Sequence, residues 1–240
     1  MSKLPKAPLI EVVFELRWMI EPQEGQTIQY LPGDLYPLVK EKYPFREAIQ
    51  GVPLFVGTPT SRFRTAQNDY PLIQIGPGVF TVNTTDAKYF WKEYERDIVE
   101  AIQNLNKIYT FKDTHNVTLT LRYIDLLKFD FGKDDLLKFL EEKLHITVKQ
   151  EFYKTNTVAK NIVLSMNYGN ELGALDITIS QGKNMAGEDG IVIQTNIISN
   201  VIKPEAEKIR VWLDKAHELT SNLFKEMTKG HLQKQFASKG

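Results

Sequence analysis

The middle of the sequence contains a cluster of side chains that could supply a general acid and a general base. Four aspartates fall close together there, namely Asp125, Asp130, Asp134 and Asp135. Glycosidase-like hydrolysis requires two such carboxyl groups at the scissile bond. A solvated strand-to-helix loop, in which Asp134 or Asp135 caps the following helix, is the simpler interpretation. We favour the loop and keep an uncharacterised hydrolase that uses these carboxylates as an alternative function.

The histidines could in principle bind a metal ion, and they are His115, His145, His217 and His231. A metal site needs histidines and carboxylates at short helical or hairpin spacing. None of the patterns HxH, HExxH and HxxxH occurs in the sequence. His217 forms the best available pair with Asp214 on one helical face, and a structural histidine at the edge of the core is the preferred interpretation.

Nucleophilic and redox chemistry also find little support in the residue types. The chain has no cysteine, which excludes a disulfide, a thiolate zinc site and a cysteine nucleophile. No GxSxG motif marks an activated serine. We therefore predict no catalytic residue, no metal and no cofactor.

Polar residues at alternating positions offer a different kind of site. In residues 12–18 and again in residues 117–123, apolar side chains alternate with polar and charged ones. A period of two is typical of a strand with one buried and one polar face. The shared polar face is predicted to bind a ligand, a protein partner or a second copy, although a plain solvent-exposed sheet is the alternative. The candidate binding residues on it are Glu15, Arg17, Arg122, Asn167 and Asp176.

Strands and helices must position these candidate residues, and the spacing of apolar residues along the chain predicts where those elements lie. Strands are predicted at residues 12–18, 117–123, 162–168, 175–179 and 191–197, with a hairpin at 73–83 that turns at Pro77 and Gly78. Helices are predicted at residues 34–43 with Asp34 as the N-cap, at 89–105, at 135–144 and from Pro204 onward. Trp91 and Trp212 are expected to be buried, each anchoring its helix.

The order of these elements repeats along the chain. We predict an α+β fold in which a strand-helix-strands-helix unit is duplicated in tandem, forming a mainly antiparallel curved sheet with the helices packed on one face. Residues 1–240 would then form a single domain of two pseudo-repeats, at about 9–110 and 115–230, and residues 231–240 would be a polar tail. Arg17 and Arg122 occupy equivalent points of the two first strands. Chance similarity between two amphipathic units is the alternative.

The overall composition limits the classes of partner. Of 240 residues, 42% are hydrophobic and 25% are charged, which is ordinary for a folded domain. The 30 basic and 30 acidic side chains cancel, so no global field attracts nucleic acid or an anionic membrane. Lysines near the C-terminus keep a nucleic-acid-binding accessory protein as a further alternative, without sequence-specific binding. With no apolar signal core and no membrane-length apolar run, we expect a cytoplasmic protein that does not contact the membrane.

Several short motifs together resemble those of a sporadically distributed, functionally uncharacterised prokaryotic family of about this length. They are P-x-x-E-x-x-F-E-L-R-W at residues 8–18, I-G-P-G at 75–78, L-R-Y-I at 121–124 and H-x6-F at 217–224. The motifs span almost the whole chain in order. The resemblance implies no activity, cofactor or catalytic residue, but sporadic occurrence is common among genes of defence and toxin-linked systems.

Taken together, the sequence favours a non-catalytic binding or interaction module. Its expected partner is another protein, a second copy of the chain or a small ligand, in the setting of a prokaryotic defence or toxin-linked system. The hydrolase and the nucleic-acid-binding accessory protein remain the alternatives.

Overall fold

A computed structural model describes residues 4–21, 24–50, 56–112, 115–151, 159–184 and 186–238 of the chain. The strands are β1 (Leu9–Trp18), β2 (Phe45–Ala48), β3 (Ser61–Arg64), β4 (Leu72–Gly76), β5 (Val79–Thr85), β6 (Val117–Lys128), β7 (Leu164–Asn170), β8 (Gly173–Lys183) and β9 (Asp189–Ser199). The helices are α1 (Gly25–Val39), α2 (Trp91–Ile108), α3 (Leu136–Leu144), α4 (Ala206–Met227) and α5 (His231–Ala237), and a 3-10 helix spans Asp86–Lys88.

All nine of these strands join one curved antiparallel sheet. Their order across the sheet is β2-β3-β4-β5-β1-β6-β9-β8-β7. The predicted α+β class and the antiparallel curved sheet are therefore confirmed. The central ladder joins β1 to β6, with Trp18 opposite Val117 and Phe14 opposite Leu121. Among the described residues, no helix is long and apolar enough to cross a bilayer.

The hydrophobic core lies between one face of the sheet and the helices. Successive side chains of β1 point to opposite faces, so every second one points to the helices. Val12, Phe14 and Leu16 are 0% exposed there. The helices cover them with apolar stripes of period 3 to 4, which include Ile28, Leu31, Leu35 and Val39 of α1, Ile98, Ile102 and Leu105 of α2, Leu136, Leu140 and Leu144 of α3, and Ile209, Leu213 and Ala216 of α4. Helix α2 contacts both α1 and α4.

Two local predictions are confirmed at the level of side chains and backbone. Asp135 caps α3, since its carboxylate accepts hydrogen bonds from the amides of Leu137 at 3.0 Å and Lys138 at 3.1 Å. The hairpin between β4 and β5 turns at Gly78, whose φ of +71° is a conformation that glycine adopts without strain. A Cβ at Gly78 would lie 2.7 Å from the carbonyl oxygen of Trp18, so the turn also needs glycine for space.

The predicted start of the first helix is wrong. Helix α1 begins at Gly25, and Asp34 lies inside it rather than at its N-cap. The apolar stripe of Ile28, Leu31 and Leu35 is buried and extends the helix through Pro32. Tertiary packing thus outweighs the helix-breaking tendency of a proline.

The segment expected to be a polar tail is also different, since His231–Ala237 forms helix α5. Leu232 and Phe236 are buried in the core, and the Phe236 carbonyl accepts a hydrogen bond from the amide of Lys6 at 3.0 Å. Two apolar side chains at positions i and i+4 are therefore enough to dock this short helix.

The two tryptophans differ in burial. Trp212 is 7% exposed, as predicted, and its indole N–H donates to the carbonyl of Leu172 at 3.4 Å. Trp91 packs against the core but is only half-buried, so its predicted burial is confirmed in part. It lies at the first turn of α2, where its ring stacks on His217 of α4 and contacts Tyr94.

Candidate functional site

A cavity of about 220 Å³ lies on the helix-covered face of the sheet, where the start of α2 and the middle of α4 approach β6 and β9. We call it the aromatic pocket. Alternation along β6 points Tyr123 and Asp125 to the helices, in phase with Leu119 and Leu121. The lining residues with aromatic or ionisable side chains include Tyr89, Trp91, Tyr123, Asp125, His217 and Phe224.

The polar tips of three aromatic side chains in this pocket are bonded to each other. The Trp91 and His217 rings stack with centroids 4.0 Å apart and an interplanar angle of 12°. The Tyr123 hydroxyl is hydrogen-bonded to Nδ1 of His217 at 2.8 Å and to the Tyr89 hydroxyl at 2.9 Å. The two phenol hydroxyls and Nδ1 of His217 are thus bonded to one another within the protein.

Burial controls the protonation of His217. Loss of hydration lowers the pKa of this imidazole to about 4, and the nearby cations Lys92 and Lys225 act in the same direction, while Asp214 opposes them. His217 is consequently neutral at pH 7. His217 is hydrogen-bonded to Tyr123, which agrees with the preferred interpretation as a structural histidine, and Asp214, its candidate partner in a metal site, accepts from the Trp91 indole at 3.2 Å.

Asp125 is the exceptional group in the pocket. Asp125 is 6% exposed. Burial and the negative charge of Asp86 raise the pKa of its carboxyl to about 7. Within the described parts of the chain, the Asp125 carboxyl makes no hydrogen bond and no ion pair. Buried polar groups in proteins are almost always partnered, and the Asp125 carboxyl lines the cavity, where water or a ligand can supply the partner.

The other aspartates of the sequence cluster have local structural roles. Asp130 accepts from the amide of Gly132 at 2.9 Å and pairs with Lys133 at 3.0 Å, and Asp134 accepts from the amide of Asp130 at 3.2 Å. These groups are exposed beyond the end of β6, whereas Asp125 lies buried within the strand. The structure does not bring the cluster together as one site.

A second ionisable cluster is held by a lysine. Carboxylate oxygens of Glu21 and Glu24 and a ring nitrogen of His115 lie within 4.8 Å of one another. Lys112 places its ammonium 2.8 Å from Glu21 and 3.6 Å from Glu24, and the Tyr109 hydroxyl donates to Glu24 at 3.0 Å. The ammonium group of Lys112 therefore neutralises these carboxylates in place of a metal ion, and we interpret the cluster as an ion-pair network.

The predicted binding residues all lie on the polar face of the sheet, opposite the helices. Arg17 pairs with Glu15 through two contacts, Nε to Oε1 at 2.6 Å and Nη2 to Oε2 at 3.1 Å. Arg122 donates to the side-chain oxygen of Asn196 at 2.9 Å. Asn167 donates to the carboxylate of Asp176 on the next strand.

These residues are distributed across the polar face and do not converge. Arg122 lies opposite Asn196, which lies opposite Asp176, so Asn196 separates the arginine from the Asp176 carboxylate. Arg122 also lies opposite Val13, four residues from Arg17 along β1. With about 3.3 Å per residue along a strand and about 4.8 Å between strands, this places the two arginines roughly 14 Å apart on the same face. The polar face is thus a broad surface rather than a cleft.

We expect Arg17→Ala to lower the free energy of unfolding by about 1 kcal/mol or less. The Arg17 side chain is 48% exposed, and exposed ion pairs contribute little because water screens them. Urea denaturation of the wild type and the variant measures the difference. Lys149→Ala, which removes another exposed ion pair, is the control, and a loss above about 2 kcal/mol for Arg17→Ala alone would contradict the expectation.

Comparison of the chain with protein-family models, with curated proteins and with solved structures finds no match. The resemblance based on sequence motifs accordingly stays a prediction. The candidate site therefore rests on its geometry.

The aromatic pocket was not predicted from the sequence. The available signal was Asp125, a charged residue in phase with the buried positions Leu119 and Leu121 of the same strand. Its proximity in sequence to Asp130 instead suggested a solvated loop. Tyr123 was predicted only as part of an alternating strand, and His217 only as a structural histidine at the edge of the core.

Proposed function

We propose that this protein is a non-catalytic binding module that takes up a small ligand in the aromatic pocket. The observation that carries the proposal is the buried Asp125 carboxyl, which lines the cavity and has no partner among the described residues. A cavity of about 220 Å³ is smaller than the sites of drug-sized ligands, which span about 300 to 1,000 Å³. The proposed ligand is therefore compact.

The state of the lining groups favours binding over catalysis. Burial raises the pKa of Tyr89 and of Tyr123 above the usual range, so neither phenol is a base at neutral pH. His217 is neutral, and its Nδ1 is bonded to Tyr123. These groups hold one another in place and support a preformed pocket wall.

Acid-base chemistry is the second candidate function, because a carboxyl with a pKa near 7 is suited to proton transfer. Asp86 provides a further carboxyl in the same lining. Recovery of the bound ligand and its analysis by mass spectrometry separates the candidates: an unchanged ligand indicates a binding module, and a converted ligand indicates an enzyme.

The polar face is the proposed surface for a protein partner or a second copy of the chain. Its support is the array of hydrogen-bonding side chains around Arg17, Arg122 and Asp176 on the face that is not packed against the core helices. A setting in a prokaryotic defence or toxin-linked system belongs to the same proposal and rests on the sequence resemblance, whereas the expected cytoplasmic location rests on the apolar pattern of the sequence.

A tandem duplication is also proposed, on the basis of the strand order. Each half begins with a strand at the centre of the sheet, β1 or β6, and its last strand, β5 or β9, returns beside it. Each of these last strands leads into a long helix, α2 or α4. In this arrangement the aromatic pocket lies where the two equivalent helices meet.

The proposal predicts that filling the pocket abolishes ligand binding. Ser221 lines the cavity from α4, and Ser221→Phe should place a ring in it. A ligand at 100 times its Kd should stabilise the wild type by about 2.7 kcal/mol, a rise in Tm of roughly 5 to 10 °C for a chain of this size. We expect no rise for Ser221→Phe in a thermal-shift screen of cationic, neutral and anionic metabolites.

Asn222→Phe is the matched control, because Asn222 is the next residue of α4 and is exposed. It should respond to ligands as the wild type does. A ligand that stabilises Ser221→Phe as strongly as the wild type would place binding elsewhere, and a screen without any stabilising compound would overturn the proposed function.

A further inference from the structure

The polar groups of the aromatic pocket define the chemistry that remains for a ligand. Tyr89, Tyr123 and His217 are bonded to one another. The hydroxyl of Thr220 donates to the carbonyl of Ala216 at 2.9 Å, and that of Thr228 donates to the carbonyl of Phe224 at 2.7 Å. The Asp125 carboxyl, which lacks a partner in the described chain, is an ionisable acceptor that a ligand can engage, and the side chains of Thr195 and Gln233 also line the cavity.

We infer that the ligand is a small organic cation, a protonated amine on an aromatic or apolar body, whose ammonium group donates to Asp125. This inference rests on the proposed function and adds the class of ligand to it. It is carried by the unpartnered carboxyl within a lining that is largely aromatic and apolar.

The electrostatics of the pocket favour a positive charge. Asp86 lines the same cavity and acts on Asp125 through its negative charge. Two carboxylates in a poorly hydrated space repel each other, and either a proton or a cation relieves the repulsion. Lys225 is a half-exposed residue of the same lining. An anion in the cavity would still be repelled by the carboxylates of Asp86 and Asp125, so we do not expect an anionic ligand.

The aromatic rings favour an organic cation over a metal ion. The faces of Tyr and Trp rings attract ammonium groups, by about 2 kcal/mol when the pair is desolvated. Calcium takes six to eight oxygen ligands and magnesium demands octahedral geometry. The ionisable oxygen donors of the lining are the carboxylates of Asp86 and Asp125 and the bonded phenols, and much of the remaining surface is apolar.

Isothermal titration calorimetry with three matched probes tests the inference. The probes are 2-phenylethylamine, 2-phenylethanol and 3-phenylpropanoate, which present a cation, a neutral hydroxyl and an anion on similar bodies. We expect the wild type to bind the amine at least tenfold more tightly than either of the others. Asp125→Asn should reduce the affinity for the amine at least tenfold and leave the affinity for the alcohol unchanged.

Asp176→Asn is the control variant, because it makes the same chemical change on the polar face, away from the pocket. It should bind the amine as the wild type does. Asparagine has nearly the same shape as aspartate, so we expect the Asp125→Asn variant to stay folded. Circular dichroism verifies its fold, and a loss of affinity then reports the lost charge.

Equal binding of the amine and the alcohol, or unchanged amine binding by Asp125→Asn, would overturn the cationic class while the proposed function stands. The cationic class is also overturned, and the proposed function stands, if the amine does not bind and the metabolite screen yields a neutral or anionic ligand whose binding Ser221→Phe blocks. Failure of both the probes and the screen would overturn the proposed function itself.

Discussion

The Asp125→Asn variant is expected to gain stability relative to the wild type as the pH rises. The Asp125 carboxyl has an ordinary pKa of 3.8, which burial and Asp86 raise to about 7 in the folded protein. The folded state therefore holds a proton that the unfolded state releases, and wild-type stability falls with rising pH up to about 7. At about 1.4 kcal/mol for each pH unit, the advantage of the variant should grow by about 3 kcal/mol between pH 5 and pH 8.5.

Urea denaturation of both proteins at the two pH values measures this difference. The pKa of His217 is lowered to about 4, so this group adds stability above pH 6.5 that is lost as the pH falls towards 4. Both proteins contain His217, and its contribution cancels in the comparison. A constant difference between variant and wild type across this pH range would show that Asp125 is ionised in the folded protein.

Trp212→Ala is expected to lower the free energy of unfolding by about 3 to 5 kcal/mol. Trp212 is 7% exposed in the core between α4 and the sheet, and removing such a ring leaves a cavity that the surroundings do not fill. Trp91→Ala should cost less, about 1 to 2 kcal/mol, because the ring is half-buried and its main contact is the stack on His217.

Chemical denaturation of both variants tests this order. Val211→Ala serves as the control, since Val211 is adjacent to Trp212 on α4 but 50% exposed, and its effect should stay within about 0.5 kcal/mol. Equal losses for Trp91→Ala and Trp212→Ala would show that Trp91 is a core residue after all.

Much of the secondary structure could be predicted from local patterns. Alternation of apolar and polar residues predicted β1 and β6, and an apolar period of 3 to 4 predicted α2, α3 and α4. Both patterns arise because one face of each element is buried and therefore apolar. Helix α1 was placed too late because Pro32 and Gly33 resemble a helix boundary. Helix α5 was missed because Leu232 and Phe236 are too few to set up a period.

The two candidate surfaces differ in how far the sequence could predict them. The polar face follows from alternation, since Glu15 and Arg17 share a face through local geometry alone. The aromatic pocket joins Trp91, Asp125 and His217 from α2, β6 and α4. Their meeting depends on the order of strands across the sheet, which local periodicity does not specify.

The central ladder has a consequence for synthesis of the chain. Its pairs join distant residues, since Trp18 lies opposite Val117, and closing such a long loop is entropically costly and slow. Until residues 117–128 leave the ribosome, β1 has β5 on one side and an unpaired edge on the other. Unpaired edges are templates for association with other chains. The nascent chain is consequently most vulnerable to wrong strand pairing after its first half has folded and before β6 has emerged.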